Sequence, residues 1–229
     1  MQIKILPVIT TITPGAWKDK VKEVKSSGLK EVALFPTCLE QKERKKLYLL
    51  LKKTSVKKIP FVHLRNDMEI WELDYLIKNY QTKVFNTHTE RERPFLYDYS
   101  KYKKLIYIEN TYQPLDEKEV KEFAGVCLDV SHLETDRILN PAQYQHNIKV
   151  IIKCGCGCSH ISAIKKESSR DAENVLRHDS HYLENLSELD YLKNYPLKYF
   201  ASFIAVELEN TIEEQLKAKE YIIKLLTHH

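Results

Sequence analysis

Residue types that bind metal ions stand at or near the ends of six apolar runs in this chain. One run, residues 104–109, is rich in β-branched and aromatic residues, stops on a carboxylate and then turns. Imidazole and carboxylate groups together suit divalent ions such as zinc, manganese or iron. The pattern therefore predicts a metal site if the ends of these runs meet in the fold. The six residues are His63, His88, Glu109, Asp129, His160 and Glu207.

Three further residues of the same types follow two of these runs. His132 comes three positions after Asp129, and the motif Asp179-Ser-His181 lies in a charged segment, residues 165–181, that we predict to be a loop. If this segment folds back over the run ends, it brings both of its ligand-type residues to the same site.

The apolar runs alternate with segments of helical periodicity. Apolar residues spaced three or four apart predict the helices, and Asp116 is of a type that caps a helix start. The predicted strands cover residues 3–10, 31–35, 59–63, 83–88, 104–109, 126–130, 150–158 and 201–208. The predicted helices cover residues 17–26, 39–53, 69–80, 116–125, 141–149, 186–195 and 211–226.

Strands that are apolar throughout are typical of a parallel sheet covered on both faces. Eight strands that mostly alternate with helices predict an α/β fold, a single (β/α)8 TIM barrel over residues 1–229. In such a barrel the active site lies at the C-terminal ends of the strands. An open doubly wound sheet is the alternative, but residues 10–15 do not form the Gly-rich phosphate loop that usually follows its first strand.

Composition restricts the class of protein. The 229 residues carry a mild net charge of +4, which permits contact with nucleic acid without arguing for it. No apolar stretch approaches the ~20 residues of a membrane span, and the chain starts directly with a strand-like run. Five cysteines, an odd number, do not indicate a disulfide framework. We therefore expect a cytoplasmic protein with no membrane contact, and we predict no protein partner.

Three of the cysteines crowd one predicted strand. Cys154, Cys156, Cys158 and His160 would share one face of the strand at residues 150–158. If His160 points into the barrel mouth, the cysteines line the barrel interior as small apolar residues. A thiolate metal site that begins with Cys158 is the alternative.

The order of the ligand-type residues resembles that of the xylose-isomerase-like TIM barrel superfamily, or AP endonuclease family 2. This superfamily includes endonuclease IV and many sugar isomerases and epimerases, and the resemblance covers nearly the whole chain. The motifs that carry it are His63, His88, Glu109-Asn-Thr, Asp129-x-x-His132, His160, Asp179-x-His181 and Glu207.

Carried over residue by residue, the endonuclease IV pattern implies three zinc ions. It implies that Glu109 is shared between two ions. Glu209 has the same strand parity as Glu207 and is an alternative ligand. The implied sets are His63, His88 and Glu109 for the first ion, Glu109, Asp129, His160 and Glu207 for the second, and His132, Asp179 and His181 for the third.

The same resemblance implies a reaction, cleavage of the DNA backbone at an abasic site by two or three zinc ions. In this interpretation Glu109 and Glu207 are the catalytic carboxylates, and Glu109 also orients the nucleophile. Arg65 follows the third predicted strand and is the candidate for contact with a substrate phosphate.

A metal-dependent sugar or sugar-phosphate isomerase or epimerase is the alternative function. One manganese-type ion would polarise the substrate while Glu109 and Glu207 move a proton at carbon. A barrel that binds a ligand without turnover is a third possibility. The residues that a one-metal isomerase does not need are His63, His88, Asp179 and His181.

Overall fold

The chain forms a closed barrel of eight parallel strands in a computed structural model that describes residues 3–13, 15–171 and 173–227. Each barrel strand pairs with the next along the chain, and the last pairs with the first. The predicted (β/α)8 barrel is confirmed, and the open doubly wound sheet is excluded. The barrel strands are β1 (Lys4–Thr10), β2 (Ala33–Phe35), β3 (Phe61–His63), β4 (Val84–Thr87), β5 (Ile106–Glu109), β6 (Val126–Asp129), β7 (Cys156–Ile161) and, after a hairpin, β10 (Phe203–Val206).

Helices surround the barrel, and an antiparallel hairpin lies outside it. The hairpin strands are β8 (Ala163–Arg170) and β9 (Leu176–Ser180). Among the helices that the structure describes, none has the length and apolar character to cross a lipid bilayer. The α-helices are α1 (Trp17–Ser27), α2 (Gln41–Leu51), α3 (Ile70–Tyr80), α4 (Glu117–Glu122), α5 (Val130–Leu139), α6 (Pro141–Cys154) and α7 (Ile212–Thr227). Short 3₁₀ helices cover Ser100–Leu105, Leu186–Asn194 and Leu197–Tyr199.

Strand residues alternate between the barrel interior and the layer beneath the helices. In β1, Leu6 and Val8 belong to the interior cluster, whereas Ile5 and Ile9 pack outward against the helices. This alternation follows from the two-residue period of a strand. Because both faces are covered, the strands are apolar throughout, which is the pattern that indicated them in the sequence.

The start of the strand predicted at residues 150–158 is wrong. Helix α6 continues through Cys154, with Val150 and Ile151 buried on its inner side, and β7 begins only at Cys156. The β-branched run favours a strand locally, but Asn140 caps a helix that begins at Pro141 and carries this run in helical form. Tertiary packing overrides the local propensity here.

Two further predictions differ from the structure. The loop predicted at residues 165–181 contains the β8–β9 hairpin, in which Ile164 pairs with Asp179. Helix α5 was not predicted, although it starts directly after β6. The helix predicted at residues 186–195 is a 3₁₀ helix.

A close contact fixes β7 against β5 inside the barrel. The ring of Tyr107 lies where a side chain at Gly157 would have to be placed. Gly157 has no positive φ, so this position requires glycine because of space and not because of backbone conformation.

We expect Gly157→Ala to lower the free energy of unfolding by about 1–3 kcal/mol, because the added methyl group overlaps the Tyr107 ring. Urea denaturation measures this loss. In a Tyr107→Ala background the same substitution should cost less than half as much. An equal cost in both backgrounds would show that the ring is not the obstacle.

Candidate metal centre

A cavity of about 480 Å³ lies at the C-terminal ends of the barrel strands. Its position follows from the parallel barrel, since all eight strands end at the same rim. Most of the ligand-type residues singled out in the sequence border this cavity. Those that line it are His63, His88, Glu109, His132, His181 and Glu207.

The first cluster of ligand-type residues joins three consecutive strands. His63 and Glu109 are the last residues of β3 and β5, and His88 directly follows β4. Their ligand atoms lie within 4.8 Å of one another. His63 Nε2 is 3.4 Å from Glu109 Oε2, so this histidine and this carboxylate already face each other.

The second cluster joins the next three barrel strands, β6, β7 and β10. Asp129 ends β6, His160 lies within β7 and Glu207 follows β10, and their ligand atoms also lie within 4.8 Å of one another. His160 Nδ1 is 3.2 Å from Glu207 Oε2, 3.9 Å from Asp129 Oδ2 and 3.8 Å from Glu109 Oε2. A third group of Glu109, Asp129 and His132 connects the two clusters.

Buried charge sets the protonation of these side chains. Burial alone would raise the pKa of Glu109, but the imidazoles of His160, His88 and His63 hold that pKa well below its ordinary value. Burial would lower the pKa of His160, yet Glu109 and Glu207 raise it to about 10. The barrel mouth therefore concentrates negative charge that attracts a proton or a metal ion.

Several buried polar atoms in the two clusters, or beside them, have no hydrogen-bond partner among the described residues. They are His63 Nδ1, Asn86 Oδ1 and both ring nitrogens of His160. Buried polar atoms are normally satisfied, so each unpartnered atom requires an explanation. A metal ion bound by one ring nitrogen of the buried His160 would supply one for that nitrogen, and the donor set of imidazole and carboxylate fits zinc or manganese.

The residues implied for a third ion, His132, Asp179 and His181, do not form a cluster like the first two. His132 Nε2 is 3.5 Å from Asp179 Oδ2, but His181 Nε2 faces Glu207 Oε1 at 3.7 Å. Of the three groups found among the described residues, none includes Asp179 or His181.

The two alternative ligands Glu207 and Glu209 differ in their contacts. Glu207 is buried in the second cluster. Glu209 Oε1 instead accepts a hydrogen bond from the Thr13 backbone N–H at 2.6 Å, which ties it to the segment after β1. Glu209 is in none of the three groups.

Arg65 borders the cavity, but its guanidinium is already engaged by the protein. Its Nε donates to Asp67 Oδ1 at 2.8 Å, its NH2 group donates to Asp67 Oδ2 at 3.1 Å, and its NH1 group donates to the Thr37 carbonyl. Contact with a substrate phosphate, which the sequence predicted for Arg65, would have to compete with these bonds.

Supporting residues that sequence reasoning missed hold the clusters in place. Asn86 Nδ2 donates to Glu109 Oε2 at 2.6 Å. The Asn110 side chain brackets Asp129, accepting from its N–H and donating to its carbonyl, both at 2.9 Å. Glu92 Oε2 is 3.8 Å from His88 Nδ1. Asn86 and Asn110 each adjoin a strand-end residue, and this position in the sequence is the signal from which their supporting role could have been predicted.

The cysteines do not form a metal site within the described residues. Cys158 fills the barrel interior as predicted, but Cys154 ends α6 and Cys156 packs against the outer core cluster. A register shift between β6 and β7 breaks the predicted common face. Burial raises the pKa of Cys156 to about 12, and none of the three ligand groups contains a cysteine.

Comparison with known proteins finds similarity at the level of solved structures. No protein-family model and no curated protein sequence matches the chain. One similar structure is a xylose isomerase-like TIM barrel protein from Mycobacterium smegmatis in complex with magnesium, with 11% identity, 98% and 96% of the two chains covered and a TM-score of 0.46.

Two further similar structures have enzyme descriptions. A probable 3-DHS dehydratase from Bacillus anthracis is 11% identical, with 97% of this chain and 99% of that chain covered and a TM-score of 0.46. A D-tagatose 3-epimerase-like protein is 14% identical, with 98% and 97% covered and a TM-score of 0.47.

We expect zinc to stabilise the fold, because an ion that binds only the folded chain adds about 2.7 kcal/mol at a hundred times its Kd. For a chain of this size that corresponds to a rise in Tm of about 5–10 °C. Differential scanning calorimetry with zinc and with a chelator measures the difference.

Two histidine variants make this test specific. His160→Gln should abolish most of the zinc-dependent rise. His146→Gln is the matched control, since His146 Nε2 binds the Leu115 carbonyl at 2.8 Å, outside the clusters. An equal rise in wild type and His160→Gln would contradict a site at His160.

Proposed function

We propose that the protein is a divalent-metal-dependent hydrolase of phosphate esters, with two ions held at the barrel mouth. The observation that carries this proposal is the position of Glu109 between two clusters. Its Oε2 atom is 3.4 Å from His63 Nε2 and 3.8 Å from His160 Nδ1, and these histidines belong to different clusters. One carboxylate between two ligand sets suits a bridged pair of ions.

The residues on each side of Glu109 divide between the two ions. His63 and His88 would hold the first, together with Glu109. Asp129, His160 and Glu207 would hold the second. Zinc fits this mixture of imidazole and carboxylate, and manganese is also compatible with it. Bound ions of this kind supply hydroxide near neutral pH and polarise phosphoryl oxygens.

The chain's own residues orient the site. Asn86 holds one oxygen of Glu109, which fixes the rotation of the shared carboxylate. The Nδ1 atom of His132 lies 3.2 Å from the Asn110 carbonyl and donates to it, so its Nε2 atom faces Asp129 and Asp179. Because these carboxylates favour the protonated ring, His132 can hold a proton at the edge of the cavity for a departing oxygen.

DNA that contains an abasic site is the substrate we propose first. The endonuclease IV-like order of the ligand residues supports it, and the mild net charge of +4 is compatible with it. A cavity of about 480 Å³ has room for one sugar phosphate turned out of a duplex, but not for the duplex itself.

Isomerisation or epimerisation of a sugar or sugar phosphate is the second candidate. Glu109 and Glu207 flank His160 Nδ1 at 3.8 and 3.2 Å, so two carboxylates stand beside one ligand position. In this candidate one manganese-type ion would bind in the second cluster, and the two glutamates would exchange a proton with carbon. It leaves His63 and His88 without a role.

The test compares His88→Gln with wild type in two assays. We expect zinc-loaded wild type to nick abasic-site DNA, and His88→Gln to lower the nicking rate at least about 10–100-fold because a ligand of one ion is lost. Glu109→Gln should lower the rate further, since it disturbs both ions. His146→Gln should nick like wild type.

The second assay follows solvent deuterium into sugars and sugar phosphates. Two results together would contradict the hydrolase and support the isomerase. Wild type would not nick abasic-site DNA, and both wild type and His88→Gln would incorporate deuterium at carbon.

A further inference from the structure

A buried arginine lies beside the position implied for a third metal ion. Arg177 is on β9, and only 6% of its side chain is exposed. Its Nε donates to Asp179 Oδ1 at 2.8 Å, and its guanidinium carbon lies 5.1 Å from the centre of the Tyr112 ring. Its NH2 group is buried without a hydrogen-bond partner among the described residues.

One carboxylate oxygen of Asp179 is engaged by the protein in this arrangement. Besides the bond from Arg177, its Oδ1 atom accepts from the Thr135 hydroxyl at 2.7 Å. Its other oxygen faces His132 Nε2 at 3.5 Å. The Asp179 backbone N–H also donates to Thr135 Oγ1 at 3.2 Å. Oδ1 therefore accepts two hydrogen bonds from the protein before any ion is considered, and only Oδ2 is left to bind an ion.

The remaining residue of the implied third set points elsewhere. His181 follows β9 and its Nε2 faces Glu207 Oε1 at 3.7 Å, on the side of the second cluster. A third ion would be left with His132 and one oxygen of Asp179.

Charge opposes a third ion as well. A guanidinium is protonated at every pH that a folded protein tolerates, so Arg177 is a permanent positive charge. Because it is buried, water screens it poorly. A divalent ion on Asp179 would sit next to this charge and share one carboxylate with it.

We propose that Arg177 takes the place of a third metal ion, so that the centre binds ions only at the two clusters joined by Glu109. This inference rests on the metal site of the proposed function and concerns its stoichiometry. In this arrangement Arg177 is a positioning residue: it neutralises Asp179 and fixes the carboxylate against which His132 is held. Asp179 is then no metal ligand.

Metal counts test the proposal directly. Zinc per chain is measured by plasma mass spectrometry after equilibrium dialysis at a series of buffered zinc concentrations. We expect two zinc ions in wild type. Arg177→Met replaces the arginine with an uncharged side chain of similar length. This variant should bind one more ion than wild type, and the zinc concentration needed for that ion should be at least ten times lower than the concentration at which wild type binds a third ion.

Two more variants keep the result interpretable. Arg177→Lys retains the positive charge and should bind the same number of ions as wild type. Asp179→Asn should also keep the wild-type number, and this arm does not depend on Arg177→Met folding. Three ions in wild type, the loss of one ion in Asp179→Asn, or equal counts in wild type and folded Arg177→Met would each overturn the proposal.

The result is separable from the catalytic assays. If the protein is a one-metal isomerase, wild type binds one ion and Arg177→Met still gains one. Such a result contradicts the hydrolase and supports the role of Arg177. Three ions in wild type together with nicking of abasic-site DNA would support the hydrolase and contradict the role of Arg177.

Discussion

Three buried carboxylates at one end of the barrel are the constraint on which the rest of the site depends. Glu109, Asp129 and Glu207 are at most 5% exposed and surround a fully buried His160. Burying ionised groups this close together is costly unless each one is paired and hydrogen-bonded. The imidazoles on neighbouring strands supply part of that compensation, and the Asn86 side chain adds a hydrogen bond to Glu109.

The compensation uses the same residues that build the fold. Asp129 ends β6 and caps α5, accepting from the N–H groups of Ser131 and His132 at 2.9 Å each. The Asn110 side chain holds the Asp129 backbone. A residue of the candidate metal clusters is therefore also a helix cap and a strand end, so its position is determined by the barrel and not by a flexible loop.

The arginines near the cavity are engaged by carboxylates. Arg65 is held by Asp67, and Arg177 by Asp179. Arg93 lines the cavity and is paired with Glu173. If the substrate is anionic, as we propose, these arginines would have to leave their carboxylate partners to meet it, whereas the histidines could meet it through the ions that they would bind.

The sequence by itself determined the barrel and the residues at its rim, because strand ends in a parallel barrel must converge and apolar runs that stop at His63, Glu109 or Asp129 are visible locally. It did not determine the start of β7, where packing overrides a β-branched run. Only the tertiary structure decided which partner each side chain meets. Contacts such as Thr135 with Asp179 and Glu209 with Thr13 join residues 44 and 196 positions apart in the sequence, which no local pattern encodes.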